Sequence, residues 1–181
     1  MKEVHTNLFI GDDADCRACT AKPEFAIVHA CKTCHQKALN YPGALPATHP
    51  HYLVYEHGKN LYLNMVDMPT EFLPKFTHPL FGHAMDFIDR EIKTKKVLIH
   101  CNYGASRSPS LGLTYLAITG VISKNSIEEA AAEFEEAYPK YAPGMGILFY
   151  MKRYWDFLMH ELLEKDTPTN SEHRHHKKIH I

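Results

Sequence analysis

Val97-Leu98-Ile99-His100-Cys101-Asn102-Tyr103-Gly104-Ala105-Ser106-Arg107-Ser108-Pro109 is the stretch on which the fold of this chain turns. Three apolar residues lead into a cysteine, and a short loop with one glycine follows. The apolar Leu111, Leu113, Tyr115, Leu116 and Ile118 come after it. The pattern predicts a strand, a tight loop and a helix. Pro109 falls in the first helical turn, where a missing N–H is not needed. Successive loop N–H groups followed by a helix N-terminus form an anion nest, and Gly104 permits the backbone such a loop demands. The same field favours thiolate over thiol at Cys101, and thiolate is the nucleophile. Arg107 can grip two phosphate oxygens with its planar fork. Ser108 can donate a hydrogen bond to the sulfur. His100 is expected to orient the cysteine through backbone and ring hydrogen bonds rather than to act as a base.

Working outward, Asn7–Gly11 reads as a first strand, and one of Asp12, Asp13 and Asp15 as the cap of a short helix. Glu24–Ala30 is apolar enough for a buried strand. Residues 36–51 read as a long proline-containing loop. Tyr52–Tyr55 and Asn60–Val66 read as two strands around a His57-Gly58-Lys59 turn. Thr77 to about Lys95 has helical spacing, with Pro79 in its first turn. Ser126-Ile127-Glu128-Glu129 is a capping box opening a helix that runs to about Tyr138. Pro139 and Pro143 break the chain, and Met145 to about Leu163 reads as one last helix. Strands alternating with helices point to a single α/β domain with a central, mostly parallel twisted sheet flanked by helices. The 101–107 loop then lies at the carboxyl end of a central strand, where open α/β sheets place ligands.

Cys-x5-Arg-Ser in this setting, and the fuller His100–Ser110 string, resemble the cysteine-dependent protein tyrosine phosphatases, most closely their dual-specificity branch. The resemblance covers roughly residues 7–157 and implies the cysteine-phosphatase fold. It implies hydrolysis of phosphate monoesters through a phosphocysteine intermediate. Cys101, Arg107 and Ser108 would be catalytic, and Asn102, Tyr103, Gly104, Ala105, Ser106 and Arg107 would cradle the phosphate. Ester cleavage needs a proton donor for the leaving oxygen. The family carries that aspartate on a loop upstream of the cysteine, which implicates Asp67 in Asp67-Met68-Pro69, with Glu71 the runner-up. One departure stands out: Ala142-Pro143-Gly144-Met145-Gly146 occupies the place where the family often carries a supporting asparagine.

Four cysteines remain. Cys16-x2-Cys19 and Cys31-x2-Cys34 have zinc-site spacing, with His29 and His35 as possible further ligands. Cys31 ends a predicted buried strand, however, and the reading taken from the sequence is that no metal or other cofactor is present. The wider superfamily offers another role for Cys31 or Cys34, capture of oxidised Cys101 as a disulfide; a small buried hydrophobe is the plain alternative for Cys31.

The chain has 45% hydrophobic and 23% charged residues and a net charge of −1, so no global field favours nucleic acid or a membrane surface. No stretch approaches a membrane span, and the N-terminus does not open a signal peptide. An odd count of five cysteines, one of them a catalytic thiolate, suits a reducing cytoplasm. The domain is expected to cover 1–164, with 165–181 a disordered basic, His-rich tail. The substrate expected is a phosphotyrosine or phosphoserine/threonine protein. Alternatives are a catalytically weak phosphate-binding module, or the same chemistry on a phosphoinositide, phosphoglycan or RNA 5′-phosphate. The loop carries no lysine among Asn102, Tyr103 and Ala105, which weighs against a highly charged inositol phosphate.

Overall fold

The structure, a computed structural model, describes residues 1–162. The expected domain end at 164 and the tail over 165–181 lie outside the described residues. In chain order the elements are β1 (Lys2–His5), β2 (Leu8–Gly11), α1 (Asp13–Cys19), β3 (Phe25–His29), α2 (Lys32–Leu39), β4 (Val54–His57), β5 (Asn60–Leu63), α3 (Pro74–Glu91), β6 (Lys96–His100), α4 (Arg107–Ile118), α5 (Ile127–Ala137), α6 (Met145–Arg153) and α7 (Trp155–Glu161). The six strands form one sheet in the order β1-β2-β6-β3-β5-β4. Its four inner strands are parallel, and each edge strand is antiparallel to its neighbour. The α/β class and the mostly parallel sheet are as the sequence implies. No helix among the described residues is long and apolar enough to cross a membrane.

Strand alternation gives the sheet two unequal faces. Ile10, Val28, Leu61 and Ile99 point into the large core, which α3, α4, α6 and α7 help to fill. The opposite face holds a small cluster of Cys19, Phe25, Ile27 and Leu98. Register carries that thin face onward: His29 of β3 lies beside both His100 of β6 and Tyr62 of β5. The His29 and Tyr62 rings stack with centroids 4.3 Å apart.

Several local readings need correction. β1 pairs with β2 as an edge strand; its exposed Lys-Glu-Val-His sequence has too little apolar content to show in the pattern. α2 occupies the start of the stretch read as a loop. Its sequence, KTCHQKAL, lacks an apolar stripe, and His35 is its one buried residue. β4 begins two residues later than Tyr52, and β5 ends at Leu63, so Asp67 does not directly follow the strand. α3 begins at Pro74, which places Pro79 inside the helix rather than in its first turn. The last helix is two, α6 and α7, broken at Tyr154, whose backbone has φ −114° and ψ 23°. At α5, Ser126 accepts from the Glu129 N–H at 3.1 Å, but the Glu129 carboxylate turns to Ser123 and Asn125 instead of completing the box. The complete box is at α1, between Asp12 and Asp15.

α4 lies on β2 and β6, and Gly112 sets how closely. A Cβ there would lie 2.5 Å from Ile10 Cδ1 and 3.8 Å from Ile99 Cδ1, inside a fully buried layer. Glycine lowers helix propensity by about 1 kcal/mol relative to alanine, and here it permits the close approach. Gly112→Val should lower stability by about 1–3 kcal/mol through overpacking, read as a reduced urea midpoint with an unchanged m value.

Candidate active site

β6 delivers Cys101 to the sheet's carboxyl edge, 2% exposed. The loop then turns back on itself at Gly104, where φ is +67° and an added Cβ would lie 2.9 Å from the Gly11 carbonyl oxygen. Only glycine meets both demands. Other elements hold the loop from outside. The Tyr138 hydroxyl donates to Gly104 O at 2.7 Å, Ala142 N–H to Ala105 O at 2.8 Å, and Gly144 N–H to Ser106 Oγ at 2.9 Å. Burial, with the nearby charges of Cys101, Asp12 and Asp15, pushes the Tyr138 phenol up to about 12, so it stays a donor.

Ser108 in the first turn of α4 donates to Cys101 Sγ at 3.2 Å. Burial alone would push the Cys101 thiol up. The Ser108 hydroxyl and N–H, the Arg107 charge and the Gly104 N–H together outweigh it, and the net shift is downward. Arg107 is 6% exposed. One terminal nitrogen donates to Met65 O at 2.9 Å and the other to Asn102 Oδ1 at 2.8 Å. Its Nε has no hydrogen-bond partner, and Asp67 Oδ2 lies 3.7 Å away.

The structure thus brings Cys101, Asn102, Arg107, Ser108 and Asp67 together. Glu71 is directed elsewhere, to Arg153 at 3.3 Å. Tyr103 stands at the rim, 79% exposed to solvent. The Ser106 side chain faces Gly144 and braces the loop. Gly144 answers the missing asparagine: its N–H makes the supporting bond, and a Cβ there would lie 2.5 Å from Asp67 Oδ1. A Cβ on Gly146 would run into the Met68 and Thr70 carbonyls, so two glycines let the 67–72 segment rest on the start of α6. Met65 O, Tyr138 and Gly146 were missed by sequence reasoning, which singled out 142–146 only as the place of the supporting asparagine. The Met65 and Gly146 roles are played by backbone, and nothing in the residue pattern marks Tyr138.

His100 is a correction. Its ring does not orient Cys101, because alternation along β6 sends it to the sheet's other face. There its Nε2 lies 2.8 Å from His29 Nδ1 and 3.9 Å from Cys34 Sγ. Cys16, Cys31 and Cys34 gather at the same place, while Cys19 packs against Phe25, Ile27 and Leu98. His35 bonds Tyr41 and the His51 carbonyl and stands apart from the other candidate ligands. All five cysteines are free thiols.

No family model matches the chain. Among solved structures it is similar to DUSP15, at 18% identity and a TM-score of 0.61, covering 91% of this chain and 96% of that one. It is similar to the human tyrosine phosphatase-like serine/threonine/tyrosine-interacting protein, at 21% identity and 0.59, covering 87% and 96%. Human DUSP28 matches at 20% identity and 0.55, covering 87% and 97%. The chain has the fold of the dual-specificity phosphatases.

Iodoacetate should alkylate the Cys101 peptide with an apparent pKa below that of an ordinary thiol, and Ser108→Ala should move that pKa upward. Mass spectrometry of the Cys101 peptide over a pH series checks both.

Proposed function

We propose that this chain is a phosphatase that hydrolyses phosphate monoesters on phosphotyrosine and phosphoserine/threonine proteins through a phosphocysteine intermediate. One observation carries the reading: the Ser108 hydroxyl and N–H, the Gly104 N–H and the charge of buried Arg107 all favour the thiolate of Cys101. Such a sulfur is held as a nucleophile beside a receptor for a dianion.

The reaction takes two steps. Phosphate docks against the 102–107 loop and Arg107. The Cys101 thiolate attacks phosphorus, the P–O ester bond breaks, and the Asp67 carboxylic acid gives its proton to the leaving oxygen. Water then attacks the phosphocysteine, Asp67 as carboxylate takes the proton, and inorganic phosphate leaves as the S–P bond breaks. Ser108 stabilises the departing thiolate. Arg107 and the loop N–H groups supply the positive field around the transition state. Asp67 is favoured over Glu71 because it faces Arg107, whereas Glu71 is paired with Arg153 outside the hollow. An aromatic rim residue, Tyr103, and a loop without lysines suit a phosphorylated side chain better than an inositol carrying several phosphates.

Hydrolysis of para-nitrophenyl phosphate, without added metal and under reducing conditions, tests this. Cys101→Ser should abolish turnover. Asp67→Asn should cost at least tenfold in kcat on a phosphotyrosine peptide, about 1.4 kcal/mol of barrier, while Glu71→Gln leaves kcat near that of the native chain. Near-normal activity in the serine variant would rule out the covalent mechanism.

Gly146→Ala should lower kcat by displacing the 67–72 segment, yet leave the alkylation pKa of Cys101 unchanged. Parallel kinetics and alkylation separate loss of the acid from loss of the nucleophile.

A further inference from the structure

The thin face of the sheet carries a second constellation, behind the catalytic loop. Cys31, Cys34 and His100 each bring a donor atom within 4.8 Å of the others, and so do Cys16, His29 and His100. His100 Nε2 is common to both sets. Three separate elements contribute: Cys16 from α1, Cys31 and Cys34 from the N-cap and first turn of α2, and His100 from the end of β6. The observed S···N separations are 3.7 Å for Cys16–His29 and 3.9 Å for Cys34–His100. Tetrahedral zinc, with Zn–S about 2.3 Å and Zn–N about 2.0 Å, spaces its donors roughly 3.5–3.8 Å apart.

The groups around the cluster favour a proton or a metal ion inside it. Asp13 Oδ1 lies 3.5 Å from His100 Nδ1, a buried nitrogen with no hydrogen-bond partner of its own. A carboxylate only accepts, so it favours the proton on His100 Nδ1 and leaves Nε2 bare. Asn60 Oδ1, 3.1 Å from His29 Nε2, does the same for His29 and leaves its Nδ1 bare. The two bare nitrogens then face each other at 2.8 Å among three sulfurs. Lone pairs so placed repel unless a proton or a metal ion lies between them. A carboxylate facing the other ring nitrogen is a usual companion of a zinc-ligating histidine, and Asp13 stands in that place beside His100.

We propose that Cys16, Cys31, Cys34 and His100 bind one zinc ion in a closed, four-ligand structural site beneath the catalytic loop. On binding, the three thiols release their protons to solvent. His29 seals the site beside Cys16, and Tyr62 stacks on His29. A surface pocket lined by Asp13, Cys16, Thr33 and Cys34 gives the ion its way in. Four protein ligands leave no open position, so the ion holds structure and does no chemistry. The site differs from the one that cysteine spacing suggests, because Cys19 is not in it.

The test is metal content and zinc-edge X-ray absorption on the full chain, purified without chelator. The expected result is one zinc per chain, with three sulfurs at about 2.3 Å and one nitrogen at about 2.0 Å. Cys34→Ser should reduce zinc at least tenfold, and Cys19→Ser should keep it. A native chain that holds no zinc and takes none up in reducing buffer overturns the proposal, and so does a Cys31–Cys34 disulfide in freshly purified protein. Zinc with nitrogen-only scattering that persists in Cys34→Ser also overturns it, since it would sit on the histidines at 173–176. The native spectrum decides the matter even if Cys34→Ser fails to fold. None of these readouts depends on phosphatase activity.

Discussion

A buried guanidinium organises this end of the molecule. Burying an unpaired charge costs several kcal/mol, so Arg107 must be met on every side. Met65 O and Asn102 Oδ1 take its two terminal nitrogens, and Asp67 lies beside its Nε. These contacts join the chain after β5 to the loop after β6, two segments that no strand pairing connects directly. The same charge lowers the Cys101 pKa, with Ser108 and the loop amides. One buried cation therefore shapes the hollow, sets the ionisation of the nucleophile and draws a carboxylate to the rim.

That charge works only because the loop is braced from behind. Gly104 packs against Gly11 at the end of β2, and Tyr138 holds its carbonyl from the other side. Gly144 and Gly146 bring α6 close enough to support both Ser106 and the 67–72 segment. Gly104 and Gly146 bring backbone against backbone and Gly144 brings its N–H to the Ser106 hydroxyl, which is why glycines recur around the site.

This explains what could and could not be read from the residues. The strand–loop–helix around Cys101 was legible because an apolar run, a glycine and a proline punctuate it in order. The parallel sheet followed from the alternation of elements. α2 was not legible: its inward face is built from Cys34 and His35 in place of leucines, so hydrophobic periodicity is silent there. The orientation of His100 was misread because neighbours in sequence are opposite in space on a strand. The cysteine spacing misled for a related reason. Cys31 is the N-cap of α2 and Cys34 is its third residue, so one turn brings their sulfurs together. Cys16 and Cys19 sit on one helix but meet different neighbours, Cys16 the His29 ring and Cys19 the Met1 side chain.

The two faces of the sheet differ in what can hold them. The large core draws on five helices, α3 to α7, whereas the thin face is covered by α1 and α2, of seven and eight residues, and its apolar cluster is small. Helices that short are marginal without tertiary support. Three sulfurs and a histidine closing on one ion would supply that support without adding bulk, as metal sites do in small domains. The placement also bears on catalysis. His100 and Cys101 are consecutive residues at the end of β6, one on each face of the sheet. A ligand bond at His100 fixes the last strand residue before the loop begins. The geometry of the nucleophile is then set from both faces, by Ser108 and Arg107 on one and by the thiol–imidazole cluster on the other.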